Sequence, residues 1–113
     1  MKTSSCKAKG RRLQQKIAKL LLATFPNLTD RDIQSTAMGQ NGTDIKLSSE
    51  AFKLFPWAVE AKAQEVHSAF ISHWEQTTAN TKKDEKPMMI ITANHKPILA
   101  IIKYEDLLGL YKS

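Results

Sequence analysis

The sequence predicts an α/β fold: a single domain with one mixed central β-sheet flanked by helices. Three observations carry this expectation. An amphipathic stretch near the start has helical spacing. "TDIKLS" and "WAVEAK" alternate polar and apolar residues, as half-buried strands do. "MMIITA" and "PILAIIKY" are continuous apolar runs either side of the turn "NHK", as in a hairpin of buried strands.

Each element follows in chain order. Residues 1–7 read as a basic disordered tail, and residues 8–113 as the folded domain. "AKGRRLQQKIAKLLLATF" places Leu13, Ile17, Leu20, Leu21 and Thr24 on one helical face, and Pro26 and Asn27 end it. Asp32 to Thr36 suit a short strand. "MGQNG" is a loop with an Asn-Gly turn signal. In "TDIKLS", Ile45 and Leu47 share one face, and Asp44, Lys46 and Ser48 the other. "SEAFKLFP" is a connection of about one helical turn. "WAVEAK" is the next strand, with Trp57, Val59 and Ala61 facing the core. Residues 65–80 form a second helix with Val66, Phe70, Trp74 and Thr77 inward. "NTKKDEKP" is a polar loop, the hairpin follows, and "YEDLLGLY" is a closing helix.

The chain has 113 residues, which fits one modest core. The run "IAKLLLATF" is too short to span a membrane, and "MKTSSCKAKGRR" has no apolar core of a secretory signal. The expected location is cytoplasmic, the host cytoplasm for a phage-encoded protein. The single Cys6 suits a reducing compartment. His67, His73 and His95 make no zinc pattern with it, and "GQNG" lacks the ending of a P-loop.

Charge is uneven. The net charge is +6, yet residues 1–29 hold seven basic side chains and no acid. Lys7, Lys9, Arg11, Arg12 and Lys16 are among them, and the remainder of the chain is close to neutral. A basic segment on a neutral body points to a polyanion, nucleic acid before membrane. The other reading is a solubilising tail.

Three ionisable groups stand on predicted strands, where propensity disfavours them. Asp44 follows the glycine-rich loop, and Glu60 and Lys62 lie two apart on one face. Glu60 and Lys62 alone read first as an exposed ion pair, worth about 0–1 kcal/mol. With Asp44 on a neighbouring strand, two carboxylates repel unless a cation joins them, and hard oxygen donors suit Mg²⁺. The backbone carbonyl of Ala61 offers a further oxygen. Carboxylate, carboxylate and lysine around Mg²⁺ form a device for phosphodiester hydrolysis.

"MGQNGTDIKLS…FPWAVEAK" resembles the PD-(D/E)xK nuclease superfamily, with a layout similar to small phage and archaeal Holliday-junction resolvases. The resemblance covers about residues 8–103. It implies a restriction-endonuclease-like fold, with Asp44 and Glu60 as metal ligands and Lys62 as the catalytic lysine. Mg²⁺ is the implied cofactor, with Mn²⁺ as a substitute. The implied substrate is DNA, branched or four-way, and the implied assembly a homodimer. A restriction-like, repair or end-processing nuclease, and a non-catalytic DNA-binding module on the same fold, are the alternative readings. Archaeal resolvases carry a glutamate in the first helix, four residues after a glycine. Here Gln14 follows Gly10 at that spacing, which implies a contact to water or phosphate. Ser35, before the glycine-rich loop, matches a resolvase serine. Gln76 in the helix after E-x-K matches a glutamine that some nuclease branches use, although His73, Gln76 and Asn80 read equally as a polar helix face.

Overall fold

The N-terminal apolar stripe builds α1, Thr3–Thr24. In the computed structural model, residues 3–36, 44–63 and 67–112 are described, with side chains from Ala8 onward. The helix begins five residues before the sequence-predicted start at Ala8. Its inward face is the expected one: Ala18, Leu21 and Thr24 are buried, and Leu13, Ile17 and Leu20 half-buried. Thr24 donates its hydroxyl to the Leu20 carbonyl at 2.8 Å, which satisfies a polar group in a buried turn. The "MGQNG" loop lies outside the described residues.

The chain divides into two compact units, Met1–Gln64 and Glu65–Ser113. In the first, α1 packs on β1, Ile33–Ser35, which pairs antiparallel with β2, Ile45–Leu47. A short helix α2, Ser49–Leu54, follows. The register sets Ile33 opposite Leu47, Gln34 opposite Lys46 and Ser35 opposite Ile45. Thr36 N–H donates to the Asp44 carbonyl at 2.9 Å, which extends the same register by one pair. Ile33 and Ile45 are buried on the α1 side of the sheet with Leu21, and Phe25 meets Phe55 edge-on at 6.2 Å. Burying a leucine or isoleucine side chain contributes about 1.5–3 kcal/mol, so this small apolar cluster anchors the unit.

Asp32 closes one end of the two-stranded sheet. Its Oδ2 accepts the Thr29 N–H at 2.9 Å and its Oδ1 accepts the Ser48 hydroxyl at 2.7 Å. Ser48 in turn caps α2 by accepting the Ala51 N–H at 3.1 Å. The Thr29 backbone bond, then the Ser48 hydroxyl, holds the Asp32 carboxyl below its ordinary value.

The second unit holds α3, Ser68–Ala79, the hairpin of β3, Met88–Ile91, with β4, Leu99–Ile102, and α4, Tyr104–Gly109. The α3 N-terminus is capped by His67, whose Nδ1 accepts the Ala69 N–H at 3.1 Å. Phe70, Trp74 and Thr77 are half-buried, as their spacing predicts; Val66 lies outside the described residues. The turn between the strands puts His95 at φ 60°, a left-handed conformation that histidine adopts more readily than most residues. Burial in α4 pushes the Tyr104 phenol up to about 12.

Three expectations are corrected. The described strands form two small antiparallel sheets and not one mixed central sheet. "WAVEAK" forms no strand, and Trp57 is 49% exposed where it was expected in the core. The physical reason is local: Pro56 has no N–H to donate, and the Ala61 N–H goes to the Asp44 side chain rather than to a strand carbonyl. The hairpin forms, but its strands are not buried throughout. Met89 and Ile101, directly paired, are half-buried, whereas Met88 and Ile90 are 55% and 56% exposed. The α/β class itself stands.

The Asp32 clamp makes stability pH-dependent. A lowered folded-state value means its contribution is present above 3.8, the ordinary value, and fades as pH falls through the lower one. Thermal melts of wild type and Asp32→Ala should differ at neutral pH and converge in acid. A constant gap across that range contradicts the clamp.

Candidate active site

Asp44 joins three chain segments in the first unit. Its carbonyl accepts the Thr36 N–H at 2.9 Å and the Thr36 hydroxyl at 3.1 Å. Its own N–H donates to the Val59 carbonyl at 3.0 Å. Its Oδ2 accepts the Ala61 N–H at 2.6 Å. The two latter partners flank Glu60. Asp44 therefore brackets the E-x-K stretch, with a side-chain oxygen doing what a backbone carbonyl does in a regular ladder. Asp44 is half-buried, and the segment it holds is extended but outside any strand.

Glu60 and Lys62 are exposed and paired with each other. Lys62 Nζ lies 3.1 Å from Glu60 Oε1, with the side chains 69% and 65% exposed. An ion pair this open contributes about 0–1 kcal/mol, so each group is available to another partner at small cost.

The other sequence-predicted residues fall in several places. Gln14 is on α1 and only 3% exposed, on the same helix face as Ala18 and Leu21. Its amide is already engaged within the protein. Ser35 is on the α1 side of the sheet, by the register that pairs it with Ile45. Asp44, one pair further along, is on the opposite side. On the α1 side, Ser35 lines a groove with Gln15, Lys19 and Asp30. Gln76 belongs to the second unit, where it borders a cavity of about 400 Å³ with His73, Asn80 and Met89. Lys9, Arg11, Arg12 and Lys16 are exposed on α1; the Lys7 side chain lies outside those described. The structure thus brings together Asp44, Glu60, Ala61 and Lys62.

A family model described as "Phage putative PDDEXK endonuclease" matches residues 5–112. The chain belongs to this PD-(D/E)xK family. The match runs through both units and includes every residue of the Asp44 cluster. No curated protein and no solved structure matches the chain. Membership carries the nuclease-like fold, DNA as the substrate class and a general dependence on divalent metal.

The donor chemistry of the Asp44 segment fits such an ion. Asp44 and Glu60 would supply carboxylate oxygens and Ala61 a backbone carbonyl, the hard donors that Mg²⁺ prefers. The bond from Ala61 to Asp44 keeps the first carboxylate beside the Glu60–Ala61 peptide. Among the described residues, no group of three or more His, Cys, Asp or Glu side chains gathers as a metal cluster.

Sequence reasoning missed the Asp32 clamp and the second use of Asp44. The first had a signal: Thr29 and Asp32 are three apart, and Ser48 precedes a helical run, as N-caps do. The second had none, because the same carboxylate satisfies a ligand reading and a backbone-acceptor reading.

The two uses separate by substitution. Asp44→Asn keeps an acceptor for Ala61, and Asp44→Ala does not. Amide exchange at Ala61 should speed up about tenfold or more in Asp44→Ala and much less in Asp44→Asn. Equal exchange in all three proteins would show that the carboxylate does not hold the segment.

Proposed function

We propose that this PD-(D/E)xK protein is a Mg²⁺-dependent DNA endonuclease acting on branched DNA, four-way junctions foremost, as a homodimer. Mn²⁺ substitutes for Mg²⁺ in this reading. Residues 8–113 work as one nuclease domain, and the host cytoplasm is its place of action. The supporting observation is the attachment of Asp44 to the backbone on both sides of Glu60.

Asp44, Glu60 and the Ala61 carbonyl would hold the ion. When bound, a divalent cation supplies Lewis acidity at the phosphoryl oxygens and makes nearby water more acidic. The protein's own part is positional. Asp44 fixes the segment through Ala61, so Glu60 and Lys62 present their side chains from an anchored backbone. Lys62 leaves its weak pair with Glu60 and donates a hydrogen bond that orients the attacking water. Water adds at phosphorus and gives up a proton to solvent, and one bridging P–O bond breaks. The departing oxygen takes up a proton from solvent. Gln14 and Ser35 support this site through the sheet and α1, and Gln76 contacts DNA.

The exposed row Lys9, Arg11, Arg12 and Lys16 supports binding to phosphates without base reading. In this reading DNA shape rather than base sequence chooses the substrate. A symmetric pair of cuts needs two sites, hence two copies. No described helix is long and apolar enough to cross a membrane.

Incubation with four-way junction, duplex and single-stranded DNA in Mg²⁺ tests the proposal. Junction should be cut fastest. Asp44→Ala, Glu60→Ala and Lys62→Ala should each lower the rate by at least about a hundredfold. Glu60→Ala and Lys62→Ala should leave the thermal midpoint nearly unchanged. Undiminished cutting by Glu60→Ala would sink the assignment, and preference for another DNA would sink only the junction part.

A further inference from the structure

The β1–β2 sheet has two different faces. α1 covers the one that carries Ile33, Ser35, Ile45 and Leu47. The other carries Gln34 opposite Lys46 and, one step along the ladder, Thr36 opposite Asp44. Lys46 and Gln34 are exposed; Thr36 and Asp44 are half-buried. This open polar face leads directly to the anchored Glu60–Lys62 stretch.

We infer that Lys46 is a DNA-contacting residue that grips a phosphate next to the one being cut. The inference rests on the nuclease reading and deepens it. Asp44 and Lys46 are two residues apart on one strand, so their Cα atoms stand roughly 6–7 Å apart on the same face. An extended lysine stem bridges from there to a neighbouring phosphate of a strand held at Asp44. The electrostatics require such a group. Asp44 and Glu60 repel a polyanion, and in the nuclease reading Lys62 is committed to the attacking water. Among the described residues Lys46 forms no ion pair. The residue directly across from it is neutral Gln34, so no acid on the paired strand competes for the ammonium. A compact ammonium on a flexible stem suits a phosphate approached from varied directions.

Burial explains why the role falls to Lys46 and not to the basic residues of α1. That helix lies on the other face of the sheet, against Ile33. Its cations can hold DNA at large, but the face that displays Asp44 has Lys46 as its own strand-borne cation.

The test compares wild type, Lys46→Ala and Lys46→Arg. Binding to labelled junction and duplex is followed by anisotropy in Ca²⁺, and cleavage in Mg²⁺ fixed across a KCl series. Lys46→Ala should raise Kd and KM about fivefold with kcat within about twofold, and flatten the slope of log Kd against log salt by about one. Lys46→Arg should restore most of both. Thermal melts matching wild type exclude unfolding as the cause, with Lys46→Gln as a second neutral variant. Unchanged Kd and salt slope overturn the inference while the nuclease reading stands. A fall in kcat at unchanged KM overturns it too, because a phosphate grip beside the site acts on binding. A wild type that binds DNA but cuts none defeats the nuclease reading, and the binding slopes still decide Lys46.

Discussion

The Asp44 carboxylate accepts the Ala61 N–H at 2.6 Å, and the backbone of the same residue bonds Thr36 on one side and Val59 on the other. Residues 56–63 lie in no helix or strand, and Pro56 cannot donate to a ladder. The attachment of Glu60 and Lys62 to the sheet therefore depends on these contacts. Asp32 does comparable work at the far end of β1 and β2, where its two oxygens hold Thr29 and Ser48. The sheet is only three residues long per strand, too short to order its own ends by ladder bonds alone. Two aspartates supply what strand length does not. One of them is also the residue that metal chemistry wants, which makes position and function hard to separate at Asp44.

Much of the fold was legible because its signals are periodic. The α1 stripe led correctly to Leu21 and Thr24 as buried positions, and the apolar runs around "NHK" led to the β3–β4 hairpin. Alternation also put Asp44 and Lys46 on the face away from Ile45, as the register shows. The same rule failed at "WAVEAK". Alternation assigns faces only when a neighbouring strand offers partners, and here the Ala61 N–H goes to the Asp44 side chain rather than to a strand carbonyl. Trp57 consequently leans on Phe55, with ring centres 6.3 Å apart, and stays half in water. The expectation of one mixed sheet required that third strand, and it went with it.

The candidate site was partly legible too. An aspartate after a glycine-rich loop and a Glu-x-Lys stretch singled out residues that the structure joins through Ala61. What the spacing could not tell is that Glu60 and Lys62 lie exposed in mutual contact. Such a pair is weak enough to yield to a better partner of either charge. In the proposed nuclease a phosphodiester and a hard cation are those partners. The exposed cations of α1 and the open face around Lys46 distribute positive charge on both sides of a sheet whose Asp44 edge carries carboxylates. A polyanion can be attracted at long range and still meet carboxylates at the point of reaction.

The central claim is that Asp44 and Glu60 act jointly on one divalent ion. Calorimetric titration of Mn²⁺ into wild type, Asp44→Asn and Glu60→Gln tests it without substrate. The account predicts saturable binding by wild type and at least about tenfold weaker binding by each variant, since even outer-shell partners of a metal are worth that much. Identical isotherms for all three proteins would contradict it.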